Sequence, residues 1–514
     1  METPGCYCLT TLPKLLFSPL LGVIFLVVFP AKFARAIASL SSLLTLVMAI
    51  LLLCKFSPQD GMQFTVAKSW LPELGVRFVL GVDGISLPLI ILLAALVSIV
   101  LISACETERP RGYFGGILML ELGALGCFMA LEGITFFVFW ELVLVALFML
   151  ISGWGREGAG KAAMGFLLYC GLGSLLMLAA MIYIGVFAAR ALIGVPTFQF
   201  SDWQLLSFTF GEELWLLSAF LVAFLVKVPV FPLHTWLPPV ISRAPREVSI
   251  LLVGALFQMG LYGVMRVCVT VFPGSFAAIA PLLAVLGVIG VIYGGLVAWV
   301  QTDVKNLIAY SSVGHLGLIL FGLASVNIYS VSGAVLQMIN HGLAAAAVFF
   351  ALSFLFKQCK TSEISDFGGL SAITPLLATV TLVFVLSYIG LPTTGGFVGE
   401  FVLMLGGFKF SPRLMFVAVT GVVIGAVYML SVYRRMFYGH HVSGDGKEIH
   451  DLVQWERLLL IPFVIAVFVL GLFPRPLMET VQPAVKKLLI GFEAELGRGD
   501  PIAEILQKSE RSHG

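Results

Sequence analysis

The sequence predicts an all-α, polytopic membrane protein of about fourteen transmembrane helices, two of them broken. Three observations carry that expectation. Of the 514 residues, 60% are hydrophobic and only 11% charged, about half the charge share of a soluble domain. The mean hydropathy is +1.05. Apolar runs close to the roughly 20 residues needed to cross hydrocarbon recur along the whole chain. A surface of this composition faces lipid, so the lipid bilayer is the first expected partner.

The runs fall at about 10–30, 36–54, 85–104, 113–131, 134–152, 165–188, 213–232, 246–270, 277–300, 306–323, 330–355, 373–405, 414–436 and 455–474. The first has only Lys14 ahead of it and passes directly into more apolar sequence. It therefore reads as an uncleaved span and not as a signal peptide. The seventh ends on Pro229 and Pro232, which lack N–H donors and leave carbonyls in search of other partners. The twelfth is too long for one straight helix and contains Gly390-Leu391-Pro392, so a bend or unwound turn is expected there. Beyond about 478 the charged tail reads as interfacial or aqueous. Loops after odd-numbered spans hold fifteen Lys/Arg and those after even-numbered spans six. Positive loops stay on the cytoplasmic side, which puts both termini outward. Small-residue pairs at Gly290/Gly294 and Gly421/Gly425 suit close helix packing in lipid.

Several function classes are excluded. The net charge of +2 gives no reason to expect nucleic acid. Eight scattered cysteines with no CxxC pair indicate neither a metal site nor a disulfide framework. No GxxxxGK[ST] loop or dinucleotide fingerprint is present. ATP-driven transport is not expected in this chain.

The informative residues are charges inside the spans, where insertion costs about 2.5–3.5 kcal/mol per charged group. Glu141, Lys227, His315, His341 and Glu400 lie on five separate runs. Burial favours a neutral lysine and a nearby carboxylate a charged one, so Lys227 beside a mobile acid is a proton switch, with Glu141 the candidate partner. Histidines titrate near neutrality and can relay between stronger acids and bases. A static Glu141–Lys227 salt bridge and hydrogen-bonded core histidines are the structural alternatives. Glu121 is open between a proton-entry group and a satisfied structural acid. Glu132, at a span end, is expected to be solvated, and His234 to pack or cap a loop.

At these residues the chain becomes familiar. LGVDGISLPLI (80–90), FFVFWELVLV (136–145), KVPVFPLHTWLP (227–238), QTDVKNLIAYSSVGHLG (301–317), LQMINHGLAAA (336–346) and LPTTGGFVGEF (391–401) resemble motifs of the antiporter-like subunits of respiratory complex I. Glu400, where sibling subunits usually carry lysine, is similar to the chain M (chain 4) group. The resemblance implies three leading spans (1–112), two inverted five-helix repeats (113–270 and 277–436), each with one interrupted helix, and a last span with an interfacial tail (455–514). It implies proton translocation within a redox translocase of an energy-transducing membrane such as the bacterial inner membrane. Glu141 and Lys227 match the gating charge pair, His315 and His341 the connecting axis, and Glu400 the terminal group near the exit. The resemblance implies no cofactor in this chain: NADH, flavin, iron–sulfur clusters and quinone are expected in partner subunits, which would include the other membrane subunits of the assembly.

The chain also departs from the pattern. In GALFQMGLYGVMR, Gln258 occupies the place of a family lysine between the two halves. Pro239, Val240 and Ile241 replace acidic and histidine residues, and Arg246 and Glu247 stand where small residues are expected. Gln258 cannot hold an exchangeable charge. Either water bypasses it, or this copy is a structural, non-pumping subunit. A subunit of a cation/proton antiporter or membrane-bound hydrogenase is the third reading.

Overall fold

A computed structural model describes residues 11–105, 107–439 and 449–497. His440 and His441, in a polar stretch of the sequence, lie outside the described residues. The chain is an integral membrane protein, mostly helical, with twelve helices among the described residues long and apolar enough to cross a bilayer. These coincide with twelve of the fourteen apolar runs. The remaining two runs, 213–232 and 373–405, are those in which the helix breaks.

In chain order the helices are α1 (Thr11–Val28), α2 (Ala34–Lys55), α3 (Ser86–Ser103), α4 (Pro110–Met129), α5 (Gly133–Trp154) and α6 (Ala159–Ala188). The first broken pair follows, α7 (Phe210–Lys227) and α8 (Leu237–Arg243). Next come α9 (Arg246–Val269), α10 (Pro273–Trp299), α11 (Val304–Ala324) and α12 (Ile328–Cys359). The second broken pair is α13 (Pro375–Tyr388) and α14 (Gly395–Phe410). The chain ends with α15 (Pro412–Phe437), α16 (Gln454–Leu472) and α17 (Arg475–Glu495). Helix starts follow local chemistry. Asp303 accepts from the Asn306 N–H at 3.0 Å, and Asn327 from the Ser330 N–H at 3.0 Å. Proline opens α4, α10, α13 and α15, where its missing N–H costs nothing.

Helix α9 is buried throughout and α12 almost so, whereas α1, α2, α15 and α16 show most of their length to lipid. The polar residues therefore concentrate where lipid does not reach. One member of each expected glycine pair lies at a close crossing: a Cβ on Gly294 would strike the Gly314 backbone and one on Gly421 the Val291 side chain, whereas Gly290 and Gly425 have room; Gly287, outside the pairs, meets the Gly317 backbone. These contacts bring α10 against α11 and α15 at backbone distance.

Three features extend or correct the sequence expectations. An antiparallel hairpin, β1 (Gln63–Leu71) with β2 (Val76–Val82), fills the loop between α2 and α3. It turns at Gly75, where φ is +70° and a Cβ would collide with the Pro196 carbonyl. The tail forms α17, whose buried Val481, Val485, Leu489 and Phe492 recur at helical spacing. Glu132 is fully buried, not solvated. Its carboxylate caps α5 by accepting from the Thr135 N–H at 2.6 Å. Burial pushes this carboxyl up to about 7, against the opposing pull of that N–H.

A carboxyl raised in the fold stabilises it below the ordinary value of 4.5 and loses that contribution as pH climbs through about 7. Glu132→Gln keeps the acceptor and cannot ionise. The wild-type protein in detergent should lose on the order of 2–3 kcal/mol relative to the variant between pH 5 and 8. Parallel pH dependences of the two unfolding midpoints would contradict this.

Candidate functional site

The first break shows how proline makes a polar site in a membrane. Pro229 cannot donate to the Leu225 carbonyl, which instead accepts from the Val230 N–H at 3.3 Å. That diverts Val230 from the Val226 carbonyl, and the Trp236 indole N–H takes its place at 2.8 Å. The helix stops at Lys227, which is 3% exposed. The ammonium lies 4.0 Å from the centre of the Trp140 ring and donates to the Trp140 carbonyl at 3.2 Å. A cation over an indole face is favoured, more so when desolvated. Glu141, the expected partner, makes no ion pair with Lys227, and its Oε1 is buried without a hydrogen-bond partner. The aromatic residue next to the acid, not the acid itself, holds the lysine in this structure.

At the second break α13 ends at Tyr388. Gly390 has φ +72°, and Pro392 supplies no donor. The Leu391 carbonyl accepts from both the N–H of Thr394, at 3.1 Å, and its hydroxyl, at 2.6 Å. The Asn340 side chain from α12 donates to the Gly395 carbonyl at 2.6 Å. Glu400 then sits 4% exposed on α14. Its Oε1 accepts from Gln337 Nε2 at 3.1 Å and lies 3.6 Å from His315 Nδ1. His315 stacks on His341 with ring centres 4.9 Å apart, and Tyr388 sets its ring edge against His315 at 4.6 Å. Both His341 nitrogens are buried without a partner. A cavity of about 20 Å³, room for one water, opens among His315, Glu400, Ser311 and Tyr428.

The structure thus brings His315, His341 and Glu400 together directly and puts Lys227 and Glu141 in a second cluster. His234 sits in the turn between α7 and α8 and packs there as expected, buried with its ring 5.1 Å from Tyr293 of α10 and 6.0 Å from Tyr310 of α11. Gln258 is fully buried on α9, and neither its Oε1 nor its Nε2 has a protein partner. Glu121 is also fully buried. It accepts from the Ser42 hydroxyl at 3.0 Å, while its Oε2 stays unpartnered.

Sequence reasoning missed Trp140, Gln337 and Tyr388, which carry the contacts above. It also passed over Asp83, which receives Arg266 Nη2 at 2.6 Å although both residues lie in motifs already singled out. Burial alone would raise the Asp83 carboxyl, but the Arg266 guanidinium and the N–H groups of Ser86 and Ile85 hold it below the usual range. Arg246 and Glu247, the unexpected pair, meet at 2.9 Å, and the Tyr113 hydroxyl donates to Glu247 at 2.7 Å.

Gly390 makes a direct test. A Cβ there would collide with Glu400 Oε2, and the positive φ adds strain. Gly390→Ala should lower stability by about 1–3 kcal/mol. Gly165→Ala, in a helix with open space around it, should leave stability unchanged or raise it by up to about 1 kcal/mol. Equal midpoints for the two variants would show that the turn does not depend on glycine.

Comparison with known proteins gives a consistent result. Residues 130–425 match the transmembrane family described as NADH:quinone oxidoreductase/Mrp antiporter. NADH-quinone oxidoreductase subunit M of Rickettsia prowazekii (strain Madrid E) is 33% identical over 494 residues, covering 93% of this chain and 98% of that one. Subunit M of Rhodobacter capsulatus is 35% identical over 472 residues, covering 90% and 92%. A chain in the structure of respiratory complex I from Thermus thermophilus with bound NADH superposes with a TM-score of 0.84 at 29% identity, covering 93% of this chain and 99% of that chain. The chain belongs to the NADH:quinone oxidoreductase/Mrp antiporter family and, within it, to the subunit M group.

Proposed function

We propose that this chain is a proton-translocating membrane subunit of a complex I-type NADH-quinone oxidoreductase, working in an energy-transducing membrane such as the bacterial inner membrane. The observation that supports this best is a series of buried polar atoms without protein partners. Glu141 Oε1, His234 Nδ1, Gln258 Oε1 and Nε2, and both nitrogens of His341 are all of this kind. Burying such groups dry costs about 1–3 kcal/mol each in proteins, so water is the partner that suits them. Water linking ionisable side chains is a proton path.

In this reading Lys227 exchanges a proton with the Glu141 side when it leaves Trp140. The proton then passes by way of the His234 region to His315 and His341, and Glu400 is the last acceptor before exit. Redox chemistry, with its NADH, flavin, iron–sulfur clusters and quinone, belongs to partner subunits, among them further membrane subunits beside this one. The order of helix lengths supports a doubled architecture. Helices α4 to α9 and α10 to α15 both place their longest member third, with 30 and 32 residues, and a broken helix fourth.

A second reading is favoured by Gln258 alone. An amide can neither gain nor lose a proton near neutrality, so the subunit could be a structural member with a silent channel. One experiment decides between them. The assembled complex carrying Lys227→Ala, reconstituted in vesicles, should reduce quinone while pumping fewer protons per NADH oxidised. Unchanged pumping in that variant and in Gln258→Lys would favour the structural reading.

A further inference from the structure

At the end of the bundle that carries most of the positive loops, α2, α3, α9, α12 and α16 leave a chamber of about 640 Å³. Three cations face it: Arg35 at the start of α2, Arg246 at the start of α9 and Lys357 near the end of α12. Arg35 donates to the Ala104 carbonyl at 3.2 Å, and Arg246 to the Ser103 carbonyl at 2.7 Å and to Glu247 at 3.1 Å. Lys357 is exposed and makes no ion pair among the described residues. Among the described residues Glu456 is the carboxylate in the lining and Glu247 pairs with Arg246, so three cations face two carboxylates and the chamber keeps a net positive charge. Trp455, 44% exposed at its edge, is a residue type that settles at headgroup level.

Ala36 of α2 lines this chamber and also a second groove of about 570 Å³ between α1 and α2. That groove is apolar, walled by Leu21, Phe25, Phe29, Leu40 and Leu44, each with 46–67% exposure except as the groove shelters it. A basic chamber at the end of the helices therefore lies beside an oily slot running along them, with Ala36 in the wall of both. The two together have the shape and chemistry of one amphiphile with an anionic head. Basic pockets between helix ends on the positive side of a membrane bind anionic headgroups for this reason.

We propose that the chamber holds the phosphate headgroup of an anionic phospholipid and the α1–α2 groove one of its acyl chains. The site does not depend on proton movement through the chain. It depends on the chain lying in a bilayer with this end at headgroup level. Bound there, the lipid ties α1 and α2 to the ends of α9, α12 and α16.

The test uses the full-length protein, purified in detergent, stripped of lipid and titrated under native mass spectrometry. The probes are dioleoylphosphatidylglycerol, dioleoylphosphatidylcholine and inorganic phosphate. Phosphatidylglycerol should bind well below the concentration that phosphatidylcholine needs, and phosphate alone should not compete. Arg35→Ala/Lys357→Ala should weaken phosphatidylglycerol by roughly fivefold per cation removed. Lys357→Arg should keep the preference, which separates lost charge from lost folding. Equal binding of the two lipids, or an undiminished preference in the double variant, would overturn the proposal. So would competition by phosphate, which marks a free-anion site. A photo-crosslinker at Lys357 that captures a neighbouring subunit in the assembled complex, and no lipid, would also overturn it.

Discussion

Everything in this structure turns on how a lysine ammonium is kept inside a membrane without a carboxylate in contact. Lys227 rests on the face of Trp140 and donates to its carbonyl. Both partners are neutral, so they hold a charged lysine less firmly than an ion pair would, and they leave it free to respond to Glu141 nearby. The site exists because Pro229 ends the helix one turn early and Trp236 recovers the orphaned carbonyl. At the second break the same logic serves an acid: Gly390, Pro392 and Thr394 unwind the backbone, and Gln337 and His315 receive Glu400. Polar backbone off the helical ladder is tolerated at membrane depth only where protein or water surrounds it, and both breaks lie against buried helices.

The fold was largely legible in the sequence. Apolar runs of bilayer length and the asymmetry of Lys and Arg place the helices, and proline and glycine place the breaks. The hairpin was not legible as a strand pair. Its alternation in QFTVAKSW is short, and its register holds two irregularities, so no clean period of two emerges. Glu132 was misjudged because a carboxylate at a span end is usually wet. Here the fold encloses it at the start of α5, where it caps the helix.

The site was legible in its ionisable members and illegible in their partners. A charge in an apolar run is conspicuous by its cost, whereas Trp140, Gln337 and Tyr388 are unremarkable in composition. They matter only because folding puts Gln337 against Glu400, 63 positions away, and Trp140 against Lys227, 87 positions away. Glu121 illustrates the opposite limit. Its charge was visible, and its serine partner Ser42 lies on α2, but with one oxygen satisfied and one not, it fits a structural acid as readily as a titrating one. Gln258 is the sharpest contrast with the family pattern. The structure buries its amide completely with both polar atoms unpartnered, which suits a water-bearing segment better than a dry seal.

The central claim is that the Lys227 and Glu400 clusters serve one route. A double-mutant cycle on the assembled, reconstituted complex tests it most directly, reading protons pumped per NADH oxidised for Lys227→Ala, Glu400→Gln and both together. If the clusters lie in series, the double variant pumps no worse than the poorer single variant. Two losses that combine independently would contradict the account, because the clusters would then serve separate paths.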